Sequence, residues 1–281
     1  MTAQKLDLIP NDSSPRGLWL GQAGFLWQWS GMTILIDPYL SDALAQKYQG
    51  TRFPHQRMMP PPLTVQDLPE IHWVLCTHQH TDHMDAQTLL PIHQNFPECQ
   101  FLVPKAWAHK MEGFGIKTQQ IQALNAGESL TLGPACTVYA LPSAHEQLEV
   151  NAEGHHHFLG YVLHTPFGQW YHSGDSIPYP RLQAYLQQHA IDYAFLPVNG
   201  RDAHRASQGV PGNFTIEEAV NLCIELKIDT LVCHHFGMFE FNTVDPSILI
   251  TEKARVRDQL QLLIPEPGQW ISLDKVKPKT Q

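Results

Sequence analysis

Residues 71–85 read IHWVLCTHQHTDHMD. An apolar run of strand length leads straight into Thr77-His78-Gln79-His80-Thr81-Asp82-His83. In an extended segment, residues two apart share a face, so His78 and His80 can grip one metal ion together. If the chain then turns into a helix starting near Asp85, Asp82 and His83 swing to the other side, where they can serve a second metal. Three imidazoles and a carboxylate this close suit a borderline or hard divalent cation with nitrogen and oxygen ligands. A polar loop in a histidine-rich chain is the plainer alternative. The dense order H-x-H-x-D-H behind a buried strand speaks against it.

Working upstream, residues 41–70 form a long irregular stretch whose Pro60-Pro61-Pro62 run rules out a central strand. Before it, residues 18–30 (LWLGQAGFLWQWS) and 32–39 (MTILIDPY) read as two β segments separated by the Ser30-Gly31 turn. Residues 1–16 read as a flexible polar arm, and the rest, 17–281, as one domain without linker or internal repeat. Downstream, helical and strand patterns alternate. Residues 85–96, 106–115, 180–189 and 215–227 read as helices, with a last one over 247–263. Residues 100–104, 129–132, 137–143, 158–165, 169–175, 193–198, 230–235 and 270–273 read as strands. Mixed sheets covered by helices follow from that order.

The composition sets limits. The 281 residues are 43% hydrophobic with a formal net charge of -9, which argues against non-specific nucleic-acid binding. Histidine stands out, with 17 residues against 18 Lys and Arg together; neutral imidazole is the commonest metal ligand. Cys76, Cys99, Cys136, Cys223 and Cys233 are scattered and never paired as CxxC, so neither a disulfide framework nor a thiolate zinc site is expected. No apolar run has membrane-spanning length and the first residues lack a signal-peptide core, so a cytoplasmic protein that does not engage a membrane is expected.

The motifs together resemble the metallo-β-lactamase superfamily. LGQAGFLWQW (20–29), ILIDPYLSD (34–42), residues 58–85, YHSGDS (171–176), LPVNGRDAHR (196–205) and HHFGMF (234–239) follow the order of the branch resembling L-ascorbate-6-phosphate lactonase. The resemblance implies an α+β fold, the αββα sandwich, with metals at one edge between two mixed sheets. It also implies the remaining ligands. His145, in ALPSAHE, takes the place of the third histidine beside His78 and His80. Asp175 is the carboxylate bridging two metals, and His235 joins Asp82 and His83. The doublet His234-His235 leaves both open, and alignment of the downstream aromatic and of Asp245-Pro246 favours His235. Asp37 matches a residue that supports the ligands from behind without binding metal itself. His172 and the triplet His155-His156-His157 read as core and solvated groups.

On the substrate side, Asn199, Arg201 and Arg205 are candidates for binding an anionic group, since guanidinium forks suit phosphate or carboxylate. A structural ion-pair loop is the equal alternative for them. Arg57, in the proline-rich loop, is a further candidate. The expected chemistry is attack of a metal-bound hydroxide on an ester-like bond, with Asp82 and His83 as catalytic residues and one or two Mn2+ or Zn2+ ions per chain. The expected substrate is a small anionic molecule, a lactone first, with a sugar-phosphate lactone among the candidates. The stretch 146–157 (EQLEVNAEGHHH) departs from that branch, which leaves the particular lactone open. Phosphodiester hydrolysis, including a phospholipase-D-like activity, is the second enzymatic reading, and a non-catalytic metal- or ligand-binding protein the third. Homo-oligomerisation is left open.

Overall fold

The computed structural model describes residues 14–133 and 135–273. The chain builds two sheets of seven strands each. The first uses β1 (Arg16–Gly21), β2 (Gly24–Trp29), β3 (Met32–Ile36), β4 (Trp73–Leu75), β5 (Gln100–Pro104) and β6 (Ile121–Leu124). The second uses β7 (Ser129–Gly133), β8 (Cys136–Pro142), β9 (Leu159–Thr165), β10 (Gly168–His172), β11 (Tyr193–Pro197), β12 (Thr230–His234) and β13 (Gln261–Leu263), and β14 (Trp270–Ser272) returns to the first. Their orders are β14-β1-β2-β3-β4-β5-β6 and β13-β12-β11-β10-β9-β8-β7. In each sheet an antiparallel half gives way to a parallel half, at β3–β4 and at β10–β11. Both sheets are therefore mixed.

Strand alternation makes the layers. Trp19, Phe25, Trp27 and Trp29 point to one face of the first sheet and meet Trp170 and Phe195 of the second. Their neighbours Leu18, Leu20 and Leu26 point to the other face, among Leu89, Ile92 and Met111. Those last residues come from α2 (Ala86–Asn95) and α3 (Ala108–Gly113), which follow the short α1 (Ala43–Lys47). The second sheet is covered by α4 (Leu182–Gln187), α6 (Ile216–Glu225) and α7 (Pro246–Val256), with α5 (Ala203–Ser207) between α4 and α6. The result is the expected αββα sandwich of the metallo-β-lactamase fold.

Several boundaries differ from the sequence reading. Residues 18–30 are two strands, because Gly21 (φ 92°) and Gln22 (φ 52°) turn the chain back. The last helix stops at Val256, and 261–263 form β13 instead of its final turn. Strand β6 was not expected at all. Of the arm expected over 1–16, residues 1–13 lie outside the described residues, and Arg16 already belongs to β1. Among the described residues no helix is long and apolar enough to cross a membrane.

Candidate metal centre

Strand β4 ends at Leu75 and the loop behind it is tied to the end of β3. Asp37, fully buried with φ 44°, accepts from Thr77 N (2.7 Å) and Thr77 Oγ1 (2.6 Å). The same carboxylate meets His83 Nδ1 at 2.7 Å, which turns Nε2 of that ring toward the centre. Asp37 thus orients a candidate ligand from behind.

The other elements deliver their groups to the same point. His78 Nε2 and His80 Nδ1 lie 3.0 Å apart. A turn, with His83 N and Met84 N both donating to His80 O, then swings Asp82 and His83 inward. His145 follows β8, and its Nε2 is 3.6 Å from Asp175 Oδ2. Asp175 follows β10 through Gly174 (φ 59°), where an added Cβ would sit 2.6–2.7 Å from Thr77 side-chain atoms. Only glycine allows that approach. His235 leaves β12 with φ 58° and places Nε2 3.1 Å from Asp175 Oδ2 and 3.7 Å from Asp82 Oδ2. His234 points the other way, stacked on His172 at 4.8 Å and 9° inside the core. His172 is indeed a core group, its Nε2 donating to Ala23 O and its Nδ1 accepting from Gly174 N.

The structure thus gathers His78, His80, Asp82, His83, His145, Asp175 and His235. Their ligand atoms group as His78, His83 and Asp175, and as Asp82, His83 and His235, each within 4.8 Å. His83 stands in both groups, so the two expected sets form one continuous cluster. The set fits a divalent metal. His83 Nε2 and Asp175 Oδ1 are buried 3.3 Å apart, yet neither makes a hydrogen bond, so both present unpartnered polar atoms to the same point. Electrostatics agree with such crowding. Burial alone would lower His83 and His235, but the carboxylates around them outweigh it, raising His83 well above its usual value and His235 to about 9. Burial would raise Asp175 and Asp82, yet His235 and His83 hold both below the usual carboxylate range.

The centre opens into a cleft of about 890 Å³. One wall is aromatic, with Phe53 against Phe241 (4.8 Å) and His55 against Phe239 (5.1 Å). Lys47, Arg52 and Lys110 supply its cations, and Trp107 and Phe158 also line it. Asn199, Arg201 and Arg205 do not line this cleft. Asn199 is bonded to Asn242 and Asn213, Arg201 grips Glu218 through both Nη atoms, and Arg205 holds Asp202 and the Asn199 carbonyl. These contacts are those of the structural ion-pair alternative, with the side chains engaged inside the loop and with α6. Arg57 also turns inward, donating to the carbonyls of Met59, Tyr39 and Ser41. Sequence reasoning missed Gln22, whose Nε2 donates to Asp82 Oδ2 at 2.8 Å. The available signal was an amide between Gly21 and Gly24, inside a run that reads as a single β segment.

Fold and centre together define a metal-dependent hydrolase of the metallo-β-lactamase superfamily. The chain belongs to the family described as the β-lactamase superfamily domain, whose model matches residues 32–236. N-acyl-phosphatidylethanolamine-hydrolyzing phospholipase D 1 of Caenorhabditis elegans is 29% identical over 179 residues, covering 60% of this chain. The match spans about half (49%) of that relative's length. A UPF0173 metal-dependent hydrolase of Pyrobaculum aerophilum is 27% identical over 267 residues, covering 91% of this chain and 98% of that protein. Among solved structures, the isothiocyanate hydrolase from Delia radicum gut bacteria superposes with a TM-score of 0.74 at 20% identity, over 93% of this chain and 100% of that one.

Proposed function

We propose that the centre hydrolyses an ester-like bond in a small anionic substrate, with a lactone as the favoured class. The observation that carries this reading is the convergence of imidazoles and carboxylates at the floor of a cleft that offers cations and an aromatic wall. His78, His80 and His145 would hold one metal, Asp82, His83 and His235 a second, and Asp175 would lie between them. A divalent metal bound there lowers the pKa of water toward neutrality and polarises a substrate oxygen. If only one metal is bound, Asp82, ionised at neutral pH, would accept the proton released as water adds to the carbonyl carbon. His83, fixed through Nδ1 by Asp37, cannot rotate away from the reacting side. With the 199–205 loop occupied by its own ion pairs, Lys47, Arg52 and Lys110 are the groups available to an anionic substituent.

Phosphodiester hydrolysis is the second reading, favoured by the name of the Caenorhabditis elegans relative. A panel separates the two: an aliphatic lactone, a phosphorylated sugar lactone and an aryl phosphodiester, each with added Mn2+ or Zn2+. Lactone turnover that drops by about 10³-fold or more in Asp175→Ala supports the first reading. Turnover of the phosphodiester alone selects the second, and stoichiometric binding without turnover of any of them overturns both.

A further inference from the structure

We infer that the side-chain amide of Gln22 is a further oxygen donor to the metal at the Asp82–His235 side of the centre. The inference rests on the reading that a metal binds here, and it concerns a residue outside the motif ligands. Gln22 sits in the tight turn between β1 and β2 and is 1% exposed. Its backbone is fixed on both sides. The Gln22 carbonyl accepts from His235 N (2.8 Å) and from Trp19 Nε1 (2.9 Å). Its φ of 52° is a left-handed conformation that a non-glycine residue adopts at a cost. Such a residue is held in place by its surroundings, so the side chain is delivered to the centre by construction.

The protein alone does not satisfy the amide. Its Nε2 is 2.8 Å from Asp82 Oδ2 and 3.1 Å from His235 Nε2, while its Oε1 is buried with no partner. Half a turn of the amide plane would give the oxygen the place of the nitrogen. It would then face the Asp82 carboxylate, lone pair against lone pair. Either orientation leaves one atom mismatched. A divalent cation among the three groups removes the conflict, because Asp82 oxygen, His235 nitrogen and Gln22 oxygen then all present lone pairs to one positive charge. The separations of 2.8 and 3.1 Å are ordinary between neighbouring ligand atoms on one ion. Counting Gln22 with Asp82, Asp175, His83 and His235 gives that position more oxygen than nitrogen donors. That balance suits an oxygen-preferring ion such as Mn2+ better than a tetrahedral zinc site.

The test is calorimetric titration of Mn2+ into the chelated and dialysed full chain, with Co2+ absorption as a second reading of ligand number. The equivalent in question is the one lost in Asp82→Ala. Gln22→Ala is expected to weaken that equivalent by about tenfold or more and to change the Co2+ spectrum, leaving any other equivalent as it was. Gln22→Glu, which keeps an oxygen and adds charge, is expected to bind at least as tightly as the parent. Unchanged affinity and spectrum in Gln22→Ala overturn the inference. So does a loss in Gln22→Glu as large as in Gln22→Ala, since that is the behaviour of a hydrogen-bond donor to Asp82. If Gln22→Ala fails to fold, as judged by circular dichroism of the chelated protein, the Gln22→Glu result decides alone. A parent chain that takes up no metal overturns the proposed function and this inference together. A parent that binds metal indifferently to Gln22 overturns the inference only.

Discussion

Replacing Asp37 by alanine strips three hydrogen bonds from the centre at once, those from Thr77 N, Thr77 Oγ1 and His83 Nδ1. None of its atoms is expected to touch metal, yet the loop that carries the ligands and one imidazole both lose their anchor. We expect Asp37→Ala to weaken metal binding by about 10–100-fold, measured by competition with a chromophoric chelator. Binding equal to the parent would mean that the loop holds its shape without Asp37. At this scale the sequence was most legible where chemistry is dense. His78, His80, Asp82 and His83 lie side by side. The first pair meets at 3.0 Å even though both follow the end of β4 at Leu75, in a bent loop where strand alternation no longer applies. The choice of His235 over His234 was harder, because it depends on a left-handed backbone at φ 58° that flips the ring out of the strand's alternation. Gln22 was harder still to read for a related reason: its role comes from a turn that residues 18–30 conceal inside one largely apolar run.

Turns between elements do much of the positioning, and Gly174 is the sharpest case. A methyl group there would meet Thr77 Oγ1 at 2.6 Å in a backbone at φ 59°. Thr77 is itself held by Asp37, so it has no room to give. Gly174→Ala should therefore destabilise the fold by about 1–3 kcal/mol and displace Asp175 from the centre. Thermal unfolding and metal content of the variant check both parts; a parent-like melting temperature together with full metal content would show that the two loops can move apart. The 199–205 loop teaches the opposite lesson. Its arginines resembled an anion grip in the sequence, but Arg201 instead braces Glu218 in the capping box of α6 (Thr215 with Glu218). A guanidinium reads alike in sequence whether its partner is a substrate or a helix cap. The order of strands and helices was legible from periodicity. Their ends were not, and the tail of α7 passed for helix because residues 247–263 carry no glycine or proline before Pro265.

Over the whole molecule, the cleft is the feature that sequence could not supply. Its aromatic wall joins residues 48–55 to residues 239–241, brought together where the loop after β12 meets loops of the first sheet, with Met58 N donating to Met238 O and His235 N to Gln22 O. The charge arrangement gives a pH dependence with a definite sign. In the chelated protein, burial alone would lower His235, but Asp175 and Asp82 outweigh it and raise it to about 9, and His83 is raised as well. Their contribution to stability is complete below the usual value of 6.5 and is lost as pH climbs through about 9. Asp82 and Asp175 are depressed, so theirs is present above the usual 3.8 and lost as pH falls below it. Burial holds His78, His80, His172 and His234 neutral, so their contribution is lost as pH falls below 6.5. Melting temperature of the chelated chain should therefore peak near about pH 6.5, decline toward 4 below it and decline toward 9 above it. Metal affinity should run the other way, rising over the same interval as bound protons are given up. A melting temperature that climbs from pH 6.5 to 9 would contradict both signs. The central claim, that these imidazoles and carboxylates hold the metal, is tested most directly by elemental analysis of the purified chain beside His80→Ala and Asp175→Ala. We expect near-stoichiometric divalent metal in the parent and a clear fall in both variants, with Asp175→Ala losing the most. A full metal complement untouched by either substitution would place the ligands elsewhere and contradict the account.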